Sequence, residues 1–184
     1  MHADVAQRLA ALFRWVDPGP GSDHLVSDCS GWWRDPATLA ALGPALADLF
    51  QGERPTVVVA PELTGVLLGP LVAVRLGAGF VPAVKGDDGR VPAEPTTWVR
   101  AGRDYRGRSV TLGVRDRHLN PGDRVLVVDD WVATGAQVRA LYELIAARGA
   151  EPVGTAAIVV DCLPAVAEEL RIRSLLTGDD LSSS

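Results

Sequence analysis

Residues 125–137, with the sequence VLVVDDWVATGAQ, constrain the fold of this chain more than any other stretch. The four apolar residues 125–128 predict a buried strand, and two carboxylates follow at its carboxyl end. A loop of small residues comes next, and the pattern of residues 136–148 predicts a helix. A strand that leads into a helix through a short loop is typical of α/β proteins, in which ligands bind beyond the carboxyl ends of the strands.

The residue types in this stretch indicate what the site would bind. A loop of small residues that opens a helix presents backbone N–H groups, which together with the helix dipole favour a phosphate. The carboxylates of Asp129 and Asp130 suit sugar hydroxyls or a hydrated cation. Aspartates after a strand also bind metal in nucleotide hydrolases, but those need an upstream Gly-x-x-x-x-Gly-Lys-Ser/Thr loop that this sequence lacks. The pattern therefore predicts a ligand of the ribose 5-phosphate type.

Composition and charge exclude several classes of protein. The length of 184 residues suits one α/β domain, and no apolar run is long enough to span a membrane. The amino terminus lacks the pattern of a signal peptide. The net charge of −5 argues against general nucleic-acid binding. Because Cys29 and Cys162 lack metal-site partners at suitable spacing, a reduced, cytoplasmic protein is expected.

Arginines are concentrated in one segment of this acidic chain. Three acids accompany seven arginines there, at Arg90, Arg100, Arg103, Arg106, Arg108, Arg115 and Arg117. Such a cationic segment favours a local anionic ligand. The alternative is a solvated loop in a chain that uses arginine as its general cation, since Lys85 is the only lysine. Both interpretations remain open at this point.

Hydrophobic periodicity predicts helices that alternate with strands. Apolar side chains of residues 3–16 fall on one helical face, and Asp35 followed by Pro36 is a typical helix start, whereas residues 24–34 are ambiguous. The other predicted helices are 36–50, 65–77, 136–148 and 164–170, and the predicted strands are 56–60, 80–85, 124–128, 153–160 and 172–177. The alternation predicts a single α/β domain, residues 1–184, with a Rossmann-like, mainly parallel sheet flanked by helices.

Two segments depart from this alternation. Residues 96–115 hold two β-like stretches around a turn rich in glycine and arginine, which marks them as an insertion or flap. The tail, residues 179–184, is expected to be disordered.

The stretch Val127–Gln137 resembles the signature of type I phosphoribosyltransferases, in which two acidic residues precede a Thr-Gly-Gly-Thr-like loop. Its version looks most like that of adenine phosphoribosyltransferases. The resemblance extends over most of the chain, through GPLVA at 69–73, LGAGFVP at 76–82, NPGDRV at 120–125 and RDP at 34–36. It implies the type I phosphoribosyltransferase fold, with a small N-terminal hood over residues 1–50 and a β flap at 96–115.

The resemblance also implies a reaction. A nitrogen nucleophile attacks C1 of phosphoribosyl pyrophosphate, and pyrophosphate leaves with Mg²⁺, the expected cofactor, bound mainly to the substrate rather than to protein side chains. Asp129 and Asp130 would bind the ribose hydroxyls and stabilise positive charge on the ring. The 5-phosphate would lie against the residues of the small loop, which are Ala133, Thr134, Gly135, Ala136 and Gln137.

A second loop, after the first core strand, is similar in position to the family's pyrophosphate loop, where a strained or cis peptide is common. Its residues are Glu62, Leu63, Thr64 and Gly65, and its N–H groups through Val66 would reach the pyrophosphate. An ordinary strand-to-helix turn is the alternative. Lys85 would add a point charge. Residues 96–108 match the family's mobile flap, whose candidates for pyrophosphate contact or closure are Arg100, Arg103, Tyr105 and Arg106.

The chain departs from the adenine enzymes at three places. The signature ends in Ala136-Gln137 rather than Gly-Thr, and Thr64 stands where those enzymes commonly carry arginine. The aromatic residue and the arginine that they place near the second helix are replaced by Val26 and Ser27. We therefore predict an acceptor pocket that differs from theirs, formed by Val26, Ser27, Asp28 and Trp131. Trp32 and Trp33 either stack on the acceptor or, as we favour, pack the hood on the core.

Three functions are consistent with the sequence. The first is transfer of the phosphoribosyl group to a nitrogen acceptor, most simply a purine-type base. The second is transfer to a non-purine amine in specialised metabolism. The third is a regulator that senses the nucleotide or phosphoribosyl pyrophosphate without chemistry, but the sequence shows no appended DNA-binding element. A homodimer is expected from the resemblance, and neither nucleic acid nor membrane is expected as a partner.

Overall fold

The computed structural model describes residues 2–21, 24–86, 94–103, 107 and 109–181. Its helices are α1 (His2–Leu12), α2 (Ser30–Arg34), α3 (Pro36–Asp48), α4 (Gly65–Leu76), α5 (Ala136–Ala147) and α6 (Pro164–Glu169). Its strands are β1 (Arg14–Val16), β2 (Val26–Asp28), β3 (Val57–Pro61), β4 (Gly79–Lys85), β5 (Thr96–Arg100), β6 (Thr111–Arg115), β7 (Arg124–Val132), β8 (Glu151–Val160) and β9 (Ile172–Thr177).

Seven strands form the central sheet, in the order β5-β6-β4-β3-β7-β8-β9. The five strands from β4 to β9 are parallel, and β5 and β6 are added antiparallel at one edge. Because parallel strands end at the same edge of a sheet, the residues that follow β3, β4, β7 and β8 are brought together. The predicted α/β class with a mainly parallel sheet is confirmed.

Helices cover both faces of the sheet, which explains why its central strands are apolar throughout. On one face, Val58 and Val128 pack with α1, α3 and α4. On the other face, Val59 and Val127 pack with α5. In the described part of the chain, no helix is long and apolar enough to cross a membrane.

The start of α3 follows the local rules that predicted it. The carboxylate of Asp35 accepts the backbone N–H of Thr38 at 2.7 Å, and Pro36 occupies the first helical position, where its missing N–H costs nothing. Gly43 of α3 lies against Leu71 of α4. A Cβ at this position would be 2.8 Å from the carbonyl oxygen of Leu71, so glycine allows the two helices to approach closely.

The predicted helix over residues 3–16 is wrong in its second part. Helix α1 ends at Leu12, and Arg14–Val16 pair antiparallel with Val26–Asp28 in a separate two-stranded sheet. Pro18 cannot continue a helix, and cross-strand pairing satisfies the backbone instead. The ambiguous segment 24–34 contains β2 and α2.

Two other boundaries also differ from the predictions. Strand β7 runs past residue 128 to Val132, so both aspartates lie within the strand, and Asp129 pairs with Ala157 of β8. The tail is ordered through a 3₁₀ turn, Gly178–Leu181, in which Leu181 is fully buried and the Asp180 carboxylate accepts the N–H of Thr177 at 2.7 Å. Residues 182–184 of the predicted disordered tail lie outside the described residues. The two β-stretches predicted in segment 96–115 are confirmed as β5 and β6.

Candidate active site

Asp129 is buried near the carboxyl end of β7. The residue is 6% exposed, and its Oδ1 accepts the backbone N–H of Asp130 at 3.0 Å. Burial, followed by the nearby carboxylate of Asp130, raises the pKa of Asp129 well above its ordinary value, and Lys85 acts in the opposite direction. The structure therefore holds two acidic groups together at the position that the sequence predicted.

The raised pKa of Asp129 predicts a pH-dependent change in stability. Above the ordinary carboxyl pKa of 3.8, the unfolded chain ionises at Asp129 while the folded chain resists ionisation. The folded state therefore loses stability as pH rises through the folded pKa. Because asparagine does not ionise, Asp129→Asn should raise the melting temperature at pH 8, by about 2–4 °C for each kcal/mol gained, and the difference should shrink towards pH 4.

Thermal melts of wild type and variant between pH 4 and pH 8 measure this effect. The control is Asp179→Asn, which changes an exposed aspartate outside the site and should leave the melting temperature within error at each pH. A gain for Asp129→Asn that became smaller as pH rose would contradict a raised pKa.

The small loop after β7 is shaped to expose backbone N–H groups. Gly135 has φ of +74°, a conformation that L side chains rarely adopt, and it directly precedes α5. The Thr134 hydroxyl accepts the N–H of Ala136 at 3.2 Å. The remaining N–H groups of the first helical turn have no carbonyl partner within the helix, which makes this end of α5 suitable for a phosphate.

Arg139 fixes this loop from behind. Its guanidinium forms a two-point contact with the Glu169 carboxylate, at 2.9 and 2.7 Å, and it also donates to the Thr134 carbonyl at 3.4 Å. Arg139 thus links the loop to α6. A fixed loop presents its N–H groups without a further cost of ordering.

The loop and the two aspartates line one cavity of ≈540 Å³. All the residues predicted to bind the 5-phosphate line it, and so do three of the four predicted acceptor residues. In sequence order, these lining residues are Val26, Ser27, Asp129, Asp130, Trp131, Ala133, Thr134, Gly135, Ala136 and Gln137. One cavity of this size at the carboxyl edge of a parallel sheet is the expected place for a small-molecule ligand.

The residues of the predicted pyrophosphate loop do not line this cavity, but the loop approaches β7 next to Asp129. A Cβ at Gly65 would be 2.9 Å from Pro61 Cδ and 3.2 Å from the carbonyl oxygen of Val128, so a larger residue would crowd this approach. The Glu62–Leu63 peptide bond is cis. The Glu62 carboxylate accepts the N–H of Lys85 at 3.0 Å, which attaches the loop to the end of β4.

Some of the backbone donors of this loop are already used. The N–H of Glu62 donates to the Ala83 carbonyl at 3.0 Å, and the N–H of Val66 donates to the Leu63 carbonyl at 3.3 Å. The predicted contact through Val66 would have to share this N–H with Leu63, and it stays a prediction. The N–H groups of Leu63, Thr64 and Gly65 remain the loop's candidates for an anion.

The two described flap arginines, Arg100 and Arg103, do not line the main cavity. Arg100 and Arg103 line a second cleft of ≈320 Å³, together with Arg139, and this cleft shares only Thr134 and Ala136 with the main cavity. The Arg100 guanidinium donates to the Ser109 hydroxyl at 3.2 Å. Their contact with pyrophosphate stays a prediction. The two other flap candidates, Tyr105 and Arg106, lie outside the described residues.

One of the four predicted acceptor residues does not line the cavity. The carboxylate of Asp28 accepts the N–H of Ser30 at 2.9 Å at the start of α2, and its contact with the acceptor stays a prediction. Hydrogen bonds from the side chain and then the backbone N–H of Ser30 lower the pKa of Asp28. Trp32 is fully buried and its indole N–H donates to the Leu9 carbonyl at 2.9 Å, which confirms that it packs the hood on the core.

Six residues that line the cavity were not predicted as site residues, and they are Trp15, His24, Leu25, Val132, Val138 and Asp161. Asp161 directly follows β8, and its N–H donates to the Val132 carbonyl at 2.9 Å. A carboxylate at the end of an apolar strand is the same signal that identified Asp129, so the sequence contained it. Trp15 had been placed on a helix, and only the strand pairing of Arg14–Val16 brings it to the site.

A cavity at the carboxyl edge of a parallel sheet, with a helix start on one side and paired aspartates on another, defines an α/β protein of the sugar-phosphate or nucleotide-binding class. A family model described as the phosphoribosyl transferase domain matches residues 34–170. The chain belongs to the phosphoribosyltransferase family.

Known relatives support the same assignment. An adenine phosphoribosyltransferase of Streptomyces coelicolor is 36% identical over 155 residues, which cover 84% of this chain and 82% of that protein. The crystal structure of adenine phosphoribosyltransferase from Rhodothermus marinus has a TM-score of 0.78 at 29% identity, over 95% of this chain and 99% of that chain. The APRTase of Giardia lamblia complexed with 9-deazaadenine has a TM-score of 0.80 at 27% identity, over 96% and 97%.

Proposed function

We propose that this protein transfers the 5-phosphoribosyl group of phosphoribosyl pyrophosphate to a nitrogen of a purine-type base and releases pyrophosphate. The observation that carries the proposal is the cavity in which the N–H groups at the start of α5 adjoin Asp129 and Asp130. Phosphate, pentose hydroxyls and a flat base can occupy one such cavity in that order. The relatives described above are named adenine phosphoribosyltransferase, which supports a purine as the acceptor.

The substrate would be held at three points. The 5-phosphate accepts hydrogen bonds from the loop of residues 133–137 and from the amide of Gln137. The two ribose hydroxyls donate to Asp129 and Asp130. The pyrophosphate lies against the N–H groups of residues 63–65, and the charge of Lys85 attracts it.

The reaction exchanges one bond at C1 for another. The acceptor nitrogen forms the bond to C1, the bond from C1 to the pyrophosphate oxygen breaks, and the electron pair leaves with pyrophosphate while the acceptor nitrogen loses its proton. Positive charge develops on the ribose ring as the bond breaks. Positive charge beside Asp129 favours its ionised form, against the burial that raises its pKa in the free protein, and the carboxylates of Asp129 and Asp130 then stabilise the charge more strongly than they would in water.

Magnesium would enter with the substrate. The described residues contain no cluster of three or more His, Cys, Asp or Glu that would hold a metal ion by itself. Mg²⁺ in proteins keeps several waters and binds through one or two carboxylates together with substrate phosphates, which Asp130 and its neighbour can supply. Its chemistry is to neutralise the charge of the leaving pyrophosphate.

One assay tests the proposed function. The protein is incubated with phosphoribosyl pyrophosphate, Mg²⁺ and a panel of purines, pyrimidines and amines, and pyrophosphate release is followed. We expect release with a purine and the matching nucleoside monophosphate as product. Release only with an amine would assign the second function considered above, and tight binding without release for any acceptor would assign a sensor.

We further propose a homodimer through an apolar stripe that begins in the loop before α4 and continues along α4. The stripe consists of Leu63, Leu67, Leu71 and Val74, which are 78, 55, 37 and 82% exposed. The last three are spaced by four and three residues and therefore share one helix face. Contiguous exposed apolar side chains mark interaction surfaces, and a twofold axis lets one patch serve both copies.

Charge in the stripe should separate the two copies. We expect light scattering to give twice the chain mass of 19.4 kDa for wild type and the single chain mass for a Leu67→Glu, Val74→Glu variant. Leu163→Glu is the control, because Leu163 is 73% exposed but lies outside the stripe. A variant that kept the mass of the wild-type dimer would place the interface elsewhere.

The location proposed for the protein is the cytoplasm. Cys29 and Cys162 are both free thiols, as is usual in a reducing compartment.

A further inference from the structure

We propose that Trp15 of the hood is the stacking surface for the acceptor base, and that the carbonyl of Leu181 fixes its orientation. The proposal rests on the proposed function and names the class of acceptor, a flat heteroaromatic ring. It assigns the role of the absent family aromatic, whose position Val26 now occupies, to a residue on the neighbouring strand.

Trp15 combines exposure with a fixed position. It lines the cavity that contains Asp129 and Asp130, and 36% of the residue is exposed. Its backbone pairs with Ser27, which lines the same cavity. Its indole N–H donates to the Leu181 carbonyl at 3.0 Å, across the full length of the chain. A side chain that is held by backbone pairing and a hydrogen bond loses little entropy when a ligand contacts it.

Aromatic packing holds the ring further. The Trp15 and Trp131 ring centroids are 6.2 Å apart with an interplanar angle of 72°, and those of Trp15 and Phe13 are 5.1 Å apart at 86°. Phe13 and Trp131 also contact each other, at 5.9 Å. Edge-to-face packing of this kind is favourable and directional. The three rings thus connect the hood to the strand that carries the two aspartates.

The chemistry of this wall selects the acceptor. The hydrogen bond to Leu181 uses the only polar atom of the indole, so Trp15 offers the cavity an apolar, π-electron surface. The same cavity is lined by the apolar Leu25 and Val26 and by the polar His24 and Ser27. Such a surface favours a planar base, for which stacking on an aromatic side chain is a general mode of recognition. A flexible aliphatic amine would gain little from it.

The anchor for Trp15 is itself well ordered. The Leu181 side chain is fully buried in the core, and the turn that carries it is closed by Asp180, whose carboxylate accepts from both the N–H and the hydroxyl of Thr177. Leu181 is thus a positioning residue, because it acts on the acceptor only through Trp15.

Direct binding tests the proposal independently of turnover. The full-length protein is titrated in a calorimeter with ribose 5-phosphate and with adenosine, guanosine and inosine 5′-monophosphates. Comparing these affinities separates the contribution of the sugar phosphate from that of the base. We expect Trp15→Ala to lower the affinity for the best-bound nucleotide about 10-fold to 100-fold. The affinity for ribose 5-phosphate should stay within about 2-fold of wild type. Trp15→Phe, which keeps a ring but loses the N–H, should lose affinity by a smaller factor in the same direction.

Val16→Ala is the matched control, since Val16 is the next residue of the same strand and its side chain points to the opposite face. It should leave all four affinities unchanged. Equal losses for nucleotide and ribose 5-phosphate in the Trp15 variants would overturn the proposal, and so would wild-type nucleotides that bind no better than ribose 5-phosphate. Failure of the proposed function is a separate result, the absence of pyrophosphate release by wild type.

Discussion

Replacing Asp129 and Asp130 together with asparagine is expected to lower kcat at least about 100-fold. Asparagine has nearly the same shape and retains an oxygen that can accept from the ribose hydroxyls. It lacks the negative charge that would stabilise the ring as the bond to pyrophosphate breaks. Because the site is buried around Asp129, that charge acts without much screening by water. The rate of pyrophosphate release at saturating substrate measures the effect.

The affinity for the substrate separates this effect from general damage. Ribose 5-phosphate should bind the double variant within about 10-fold of wild type, since the phosphate loop is unchanged. Asp179→Asn, an exposed substitution of the same type, should leave kcat unchanged. A double variant with wild-type turnover would remove Asp129 and Asp130 from the mechanism.

The second large effect is expected for Gly135→Ala. Gly135 has φ of +74°, and a Cβ there would lie 2.7 Å from Val166 Cγ1 and 2.8 Å from Leu170 Cδ1. Alanine is strained at this φ, and its Cβ also requires these two side chains or the loop itself to shift, so we expect the N–H groups of the loop to be displaced. Because a displacement of about 1 Å can cost 100-fold, we expect affinity for ribose 5-phosphate to fall roughly 100-fold, and stability to fall by about 1–3 kcal/mol.

Gly149→Ala is a close control for this prediction. Gly149 follows the other end of α5 with φ of +71°, but its Cβ would be no closer than 3.3 Å to Pro121. It should therefore share the cost of a positive φ while leaving ribose 5-phosphate affinity unchanged. Titration calorimetry and thermal melts of both variants give the comparison. Equal affinities in the two variants would show that the loop does not bind the phosphate.

Much of the site was predictable because its signals are local in sequence. The apolar run 125–128, the aspartates after it and the small loop before a helix are contiguous, and parallel topology then brings the ends of neighbouring strands to one edge. The run 56–60 and Lys85 at the end of the next strand follow the same logic. Continuous burial on both sheet faces makes such strands easy to identify from composition alone.

The hood was less predictable because its contacts join distant parts of the chain. Val5, Leu9 and Phe13 have helical spacing and are all buried, yet the helix ends at Leu12. What places Trp15 is its pairing with Ser27 and its hydrogen bond to Leu181, 166 residues away. No local pattern encodes either contact, so the sequence did not predict Trp15 as the stacking surface for the acceptor base.

Asp28 shows that one residue can fit two local patterns. Its position in the family pattern predicted a contact with the acceptor, and a carboxylate two residues before Ser30 is also well placed to accept that residue's N–H. The local hydrogen bond is what the structure shows. For an aspartate just before a helix, a local hydrogen bond to the backbone should be considered together with a binding role.

The most direct measurement is a crystal structure of the protein with phosphoribosyl pyrophosphate and Mg²⁺. We expect the 5-phosphate to be within hydrogen-bonding distance of the N–H groups of residues 134–137, and the ribose hydroxyls to contact Asp129 and Asp130. A structure in which the sugar phosphate binds outside this loop, or in which both carboxylates face away from the ribose, would contradict the assignment.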